Sequence, residues 1–230
     1  MQARAKNGGA VYVDGKDTVI NNLTTGMTTA SVNGGAVYIG TGSGESGLRT
    51  TIKNSHFMMA NATKAGGAVY INGQYATVEN STFNMTFAKS GSSFTSDNKG
   101  GAIYIKGNDA KIIGSNFTIS QANQGGILYL EGNHCDITNS ILDNGYSYGD
   151  GGSVYSTGAY SNVYYSNFTN SVSRGDGGAL FWYGSADSKY NVMVGCIFAN
   201  NTALANSEHG TKGGGAIYFS EGGSYCGIKD

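Results

Sequence analysis

Apolar and polar positions alternate along this chain in short bursts, each introduced by a pair of glycines. Gly66-Gly67-Ala68-Val69-Tyr70 is the type example, and the first glycine of the pair recurs at Gly8, Gly34, Gly66, Gly100, Gly125, Gly151, Gly177 and Gly214. The intervals are 26, 32, 34, 25, 26, 26 and 37 residues. A floor of 25–26 with longer intervals above it reads as one structural turn plus loop insertions. About twelve residues after the first glycine a second burst follows, as in Val78-Glu79-Asn80-Ser81-Thr82-Phe83 and Ile112-Ile113-Gly114-Ser115-Asn116-Phe117. No stretch of ten residues carries apolar positions three and four apart, so helices are not expected. Two short strands per unit, with a weaker third before the next glycine pair, predict an all-β fold. The expected architecture is a single-stranded parallel β-helix of about 7–8 coils over residues 1–230, one domain whose stacked coils bury a core that no single coil could bury alone.

Stacking brings like positions of successive coils to about 4.8 Å, so the chain can be read in columns. Three residues after the first glycine stand Val11, Val37, Val69, Ile103, Leu128, Val154, Leu180 and Ile217, and two further on stand Val13, Ile39, Ile71, Ile105, Leu130, Ser156, Trp182 and Phe219. Strand alternation turns both columns inward. The column between them is then predicted to be a continuous aromatic ladder on the outer surface: Tyr12, Tyr38, Tyr70, Tyr104, Tyr129, Tyr155, Phe181 and Tyr218. Beside it Ala10, Ala36, Ala68, Ala102, Ile127, Ser153, Ala179 and Ala216 are expected to leave the rings uncovered. A polar turn places Asn21, Asn54, Asn80, Gly114, Asn139, Tyr165 and Gly195 in one column, mainly residues that tolerate a left-handed backbone. The next column, Asn22, Ser55, Ser81, Ser115, Ser140, Ser166 and Cys196, is uniformly modest in size.

Composition sharpens this picture. Charged residues are 13%, glycine is 38 of 230 and proline is absent, which suits a chain of stacked strands where a proline would delete ladder hydrogen bonds. A net charge of −1 with scattered basic residues excludes a phosphate-binding patch, so no nucleic-acid partner is expected. No apolar run approaches the 18 residues of a membrane-spanning helix. No secretory signal precedes the first repeat, and both ends read as cuts in a longer protein. Cys135 and Cys226 share a column about three coils, or roughly 14 Å, apart. That exceeds the roughly 7 Å a disulfide spans, so these two and Cys196 are expected as free thiols used in packing. They form no metal-ligand spacing with His56, His134 or His209.

The glycine tetrapeptide G-G-A-[I/L/V] at Gly8, Gly34, Gly66, Gly100, Gly177 and Gly214, with an F-x-x-N motif at Phe198-Ala199-Asn200-Asn201, resembles the polymorphic membrane protein repeats of chlamydial autotransporters. The pattern is closer still to adhesin-like surface proteins of methanogenic archaea. The resemblance implies a large extracellular, cell-surface protein whose passenger is a right-handed β-helix, and a non-catalytic role in attachment to cells, glycans or surfaces.

Three classes of candidate site remain. Asp150 and Asp176 each precede a double glycine, one coil apart. At about 5 Å their repulsion of roughly 1 to 3 kcal/mol would be relieved by a bound cation such as Ca²⁺, while the plainer reading makes them turn residues. A glycosidase needs two carboxylates flanking a sugar, and apart from this pair the acids fall in different columns. A carbohydrate-active enzyme, lyase or hydrolase, is therefore the alternative, and an end-to-end self-associating filament the third reading, since end coils expose strand edges. The aromatic ladder holds the coils together by stacking and is also a candidate strip for sugar rings or a partner protein. Segments 40–49, 90–98, 185–190 and 203–211 exceed the minimum coil and are candidate binding rims, the first and third leaving from one corner and the second and fourth from another. Of seven N-x-[S/T] sequons, Asn116 and Asn167 occupy outward positions suited to glycosylation.

Overall fold

The computed structural model describes residues 3–41, 43–183, 190–205, 213–220 and 226–229. The chain winds through three parallel sheets in turn, and each lateral neighbour of a strand lies one coil away in sequence. This is a parallel β-helix, with no helix among the described residues. The strand after each glycine pair builds an eight-stranded tyrosine sheet, Val11–Val13, Val37–Ile39, Val69–Ile71, Ile103–Ile105, Leu128–Leu130, Val154–Ser156, Leu180–Trp182 and Ile217–Phe219. The second sheet also has eight strands, Val19–Asn21, Thr51–Lys53, Thr77–Glu79, Lys111–Ile113, Asp136–Thr138, Asn162–Tyr164, Val192–Val194 and Gly227–Lys229. The third, wide sheet contains the longest strands, such as Thr82–Ala88, Asn116–Ala122 and Ile141–Ser147. The second burst of each repeat thus spans two sheets: Val78 lies on the second sheet and Phe83 on the wide one, with the Asn80 corner between them.

The double glycine is what allows the coils to close on one another. Gly66 has φ +63°, and a side chain there would also strike the Val69 carbonyl at 2.2 Å. At Gly67 a Cβ would lie 1.9 Å from the carbonyl oxygen of Gly101 in the next coil and 2.6 Å from the backbone of Phe87. Backbone meets backbone at this seam, and only a hydrogen fits between.

Register follows residue for residue. Val69, Tyr70 and Ile71 pair with Val37, Tyr38 and Ile39 on one side and with Ile103, Tyr104 and Ile105 on the other. Both aliphatic columns point inward, as expected, and join Ile52, Val78, Ile112 and Ile137 of the second sheet and Phe57, Phe83, Phe117 and Phe168 of the wide sheet in one continuous core. The core phenylalanines stack, with ring centroids 4.8 Å apart for Phe57–Phe83 and 4.7 Å for Phe83–Phe117 and Phe168–Phe198.

The small column beside the tyrosines departs from expectation. Ala36, Ala68, Ala102, Ile127 and Ala179 belong to the core and do not flank the ladder outside. The amides of Ala68 and Val69 both donate to the Ala102 carbonyl, at 2.9 Å each, and the same sharing recurs from coil to coil. Two successive residues opposing one is a bulge, which breaks the alternation and leaves both side chains facing in. The first coil also runs one residue later than the polar-turn column suggests: Asn22, with φ 56°, occupies the corner, while Asn21 pairs with Lys53.

The serine column carries its own ladder. The amides of Ser55, Ser81, Ser115 and Ser140 donate to the hydroxyls of Ser81, Ser115, Ser140 and Ser166 at 3.1–3.2 Å. Each of those hydroxyls donates in turn to a carbonyl two residues back in its own coil, as Ser81 does to Glu79 at 2.8 Å. Cys196 continues this column, its Sγ 3.4 Å from the Val194 carbonyl. All three cysteines are free, Cys135 fully buried and Cys196 and Cys226 partly so.

Two stability outcomes follow. Gly67→Ala costs about 3 kcal/mol or more, roughly ten degrees of melting temperature in a chain of this size, whereas Gly26→Ala, where a Cβ meets nothing within 4 Å, stays within about 0.5 kcal/mol; equal melting temperatures would refute the seam. Cys196→Ser replaces a weak thiol donor to the Val194 and Val163 carbonyls by a hydroxyl and stabilises by about 1 kcal/mol, read as a rise of about 2–4 °C in thermal unfolding.

Candidate functional site

The aromatic ladder forms as a row outside the core, a separate cluster of Tyr70, Tyr104, Tyr129, Tyr155 and Phe181 with Tyr38 and Tyr218 packed against it. Neighbouring rings lie 4.8–5.3 Å apart with interplanar angles of 5–20°. It is not, however, an uncovered strip. Its five central rings are only 5–9% exposed, whereas Tyr12, which has a ring on one side alone, is 50% exposed. Each interior ring has both faces taken by its neighbours, so no sugar or side chain can lie flat on it.

The segment after Ala88 comes close to the ring edges of Tyr70 and Tyr104. Ser90 and Ser93 exchange backbone bonds at 3.1 and 3.0 Å. The buried Asn98 side chain fixes the segment's return, accepting from the Thr95 amide at 2.6 Å and donating to the Thr63 carbonyl at 2.7 Å. Lys64 Nζ and Asp97 Oδ2 are 3.0 Å apart, and Lys99 Nζ sits 4.8 Å over the Tyr129 ring. Between these charges and the edges of Tyr70 and Tyr104 lies a hollow of about 190 Å³. The tip of the segment reaches across the wide sheet: Phe94 stacks on Tyr148 at 4.0 Å, and Arg174 lies 4.7 Å over that same ring while donating to the Tyr146 hydroxyl at 3.0 Å. Tyr104 also donates to the Glu131 carboxylate. Segment 90–98 therefore borders the ladder at Tyr70 and Tyr104 through Asp97.

Segment 40–49 leaves from the opposite side, after the tyrosine sheet. It is tied to the first coil by Lys16–Glu45 and Arg49–Asp17 ion pairs, each at 2.6 Å, and borders a hollow of about 240 Å³ with Asn72, Gly73 and Gln74. Most of segments 185–190 and 203–211 lies outside the described residues.

Asp150 and Asp176 stand one coil apart, as the columns place them. Asp150 Oδ1 accepts the Asp176 amide and Asp176 Oδ1 accepts the Gly213 amide, each at 2.8 Å. Asn7 and Asn33 use the same atom in the same way, accepting from Asn33 and Ala65 at 3.2 Å. Where the column holds asparagine or aspartate, its side-chain oxygen meets a backbone donor of the following coil. One oxygen of each aspartate is thus engaged with an amide, and no group of three or more His, Cys, Asp or Glu side chains converges among the described residues. Asn116 and Asn167 face outward on the wide sheet, the first exposed and the second half-buried.

Two corner rows stand outside the candidate sites read from the sequence, although the second is the polar-turn column itself. Nine residues after the first glycine in uninterrupted coils, the corner between the tyrosine and second sheets holds Asp17, Tyr75, Asp109, His134 and Tyr160, with Arg49 and Tyr190 in the coils that carry insertions; all seven have φ between 53° and 62°. His134 stacks on Tyr160 at 5.1 Å and Tyr160 on Tyr190 at 5.3 Å. At the next corner Tyr165 has φ 48° in a column otherwise occupied by asparagine and glycine. The spacing from each glycine pair was the available signal for the first row; the outlying tyrosine in an Asn/Gly column was the signal for the second.

Fold and surface together define a class: a repeat-built parallel β-helix rod, with near-uniform inner columns and variable corners and insertions. Among protein families, the Chlamydia polymorphic membrane protein repeat matches residues 195–220. That stretch is a single coil, so the likeness belongs to the repeat and does not extend to the chain as a whole. It contains both motifs, and the structure gives the F-x-x-N motif a physical meaning. Phe198 stacks on Phe168 of the preceding coil, while Asn201 accepts from the Ser171 amide at 3.0 Å and donates to the Phe168 carbonyl at 2.9 Å. Comparison with curated proteins and with solved structures gives no match. No helix among the described residues is long and apolar enough to cross a membrane.

Burial of the ladder has a titration consequence. It pushes the Tyr129 hydroxyl up to about 12, with the Glu131 carboxylate adding to the effect. Burial likewise raises Tyr70, Tyr104 and Tyr155, the Glu131 contact contributing at Tyr104. In the unfolded chain a tyrosine ionises near 10. Stability supplied by these groups is thus complete below pH about 10 and is lost as pH climbs toward and through 12, because the unfolded chain releases protons that the native one keeps. Melting temperature should fall steadily over that window and less steeply in Tyr129→Phe; a flat profile would contradict the burial of the ladder.

Proposed function

We propose that this chain is a stretch of an adhesin-like, cell-surface protein: a non-catalytic β-helix rod that attaches to cells, glycans or surfaces through its exposed corners and inserted segments. The observation that carries the reading is the polymorphic membrane protein repeat over residues 195–220, whose two motifs fall on the seam and the core of the same winding that builds every other coil. The closer likeness to adhesin-like proteins of methanogenic archaea rests on the motif pattern and forms part of this proposal, as does placement at the cell surface. The geometry of Asp150 and Asp176 favours a backbone-bonding role, since each carboxylate holds the amide of the next coil. The ladder serves the rod by stacking, and contact with a partner falls to side chains that remain open.

Beads coated with the chain should attach to epithelial and bacterial cells saturably, and at least tenfold above beads coated with an inert protein. Incubation with a panel of polysaccharides should release no new reducing ends. Attachment at background, or reducing ends that vanish in Asp150→Asn or Asp176→Asn, would overturn the reading.

A further inference from the structure

We propose that coils 151–176 and 177–213 carry a binding platform for a neutral pyranose glycan, centred on Tyr165 and bordered by Tyr160 and Tyr190, with Asn162 and Tyr164 as its floor. This deepens the attachment reading by naming the ligand class and the residues.

Open aromatic surface is concentrated here. Of the six tyrosines among the described residues that stay exposed, four, Tyr160, Tyr165, Tyr183 and Tyr190, lie on these two consecutive coils. Tyr165 is the most open at 62%. Its ring leans over Gly195 of the following coil, where a Cβ would lie 2.6 Å from Cδ1, so that glycine makes room for the ring. Unlike the ladder tyrosines, it is not sandwiched between two rings.

The platform is also held at a cost. Tyr160, Tyr165 and Tyr190 have φ of 55°, 48° and 62°. A left-handed backbone is unfavourable for a residue with a Cβ, and asparagine bears it better than tyrosine. Asn54, Asn80 and Asn139 fill the Tyr165 column in other coils. Met27, Met59, Met85 and Ile119 share this backbone elsewhere, and what sets Tyr165 apart is a bulky ring in a column of asparagine and glycine.

The chemistry between the rings fits a polyol. Asn162 and Tyr164 face outward from the strand Asn162–Tyr164, which spans no more than about 17 Å between Tyr160 and Tyr165. Asn162 donates to Asp136 Oδ1 at 3.0 Å, and Asp109 faces His134 at 3.7 Å, so the nearby carboxylates already have polar or basic partners. A sugar's C–H face stacks on Tyr165, and its hydroxyls reach amide and phenol groups. Exposed tyrosines also suit a protein partner, and the amide and phenol groups between the rings, in place of an apolar patch, favour the polyol.

The test uses the whole chain with soluble gluco-, galacto- and mannohexaoses, read by calorimetry and by saturation transfer to tyrosine rings. At least one hexaose should bind with a Kd of about 1 mM or tighter. Tyr165→Asn should weaken it at least tenfold while melting no lower than the parent, because asparagine suits the corner; Tyr160→Asn should weaken it too. Binding by none of the three, or binding unchanged in Tyr165→Asn, overturns the platform. The bead assay separates the two readings. Attachment that survives enzymatic removal of surface glycans and the Tyr165→Asn change overturns the platform and leaves attachment standing. Hexaose binding without attachment does the reverse.

Discussion

Backbone-to-backbone contact at the second glycine of each pair is the constraint from which the rest of this structure follows. At Gly9, Gly35, Gly67, Gly101, Gly126, Gly152 and Gly178 a Cβ would sit 1.9–2.2 Å from the carbonyl oxygen of the corresponding glycine one coil on. A second seam runs along the far end of the tyrosine sheet, where Gly73, Gly107, Gly132 and Gly158 meet the backbone of the neighbouring coil at 2.0–2.3 Å. From the coil of Gly47 to that of Gly158 the two seams pin each coil to the next at two places. Between them the strands have no freedom to slip, and each residue must lie against its own counterpart.

That forced self-contact selects the residues in each column. A column succeeds if its side chain packs well on copies of itself: phenylalanine on phenylalanine in the core, tyrosine on tyrosine outside it, serine hydroxyl against serine amide at the corner. Stability in such an array is close to a sum over nearest neighbours. The same logic removes the ladder from the list of open surfaces. A ring that stacks with both neighbours has spent its two faces, and Lys99 and the Lys64–Asp97 pair cover its edge.

Much of this could be read from the sequence, because column identity is a one-dimensional property. The glycine pairs, the two aliphatic columns, the tyrosine row and the serine column lie where the spacing puts them. What escaped was set by local backbone detail. The alanine column turned inward because two amides share one carbonyl, which no alternation rule anticipates. Asn21 and Asn22 are chemically equal candidates for a left-handed corner, and only pairing of Asn21 with Lys53 decides between them. The fold-back of segment 90–98, through Asn98 to Thr63 and Phe94 to Tyr148, joins distant positions that no column aligns. The second glycine seam was hidden because single glycines look like ordinary turn residues.

The corners are where such a rod can change what it touches without changing how it is built. A substitution at a seam sets backbone against backbone, and every neighbouring coil feels it. A substitution at a left-handed corner points into solvent and meets only the residues above and below, so its cost is the local backbone preference, roughly 1–2 kcal/mol. The seams have already fixed that backbone, and asparagine, aspartate, arginine, histidine and tyrosine all occur on it with φ near 55°. Inner columns are therefore held nearly constant by self-contact, while corner rows are free to differ from coil to coil. In this chain that freedom has gathered exposed tyrosines on two adjacent coils, the arrangement least explained by packing and most readily explained by a partner.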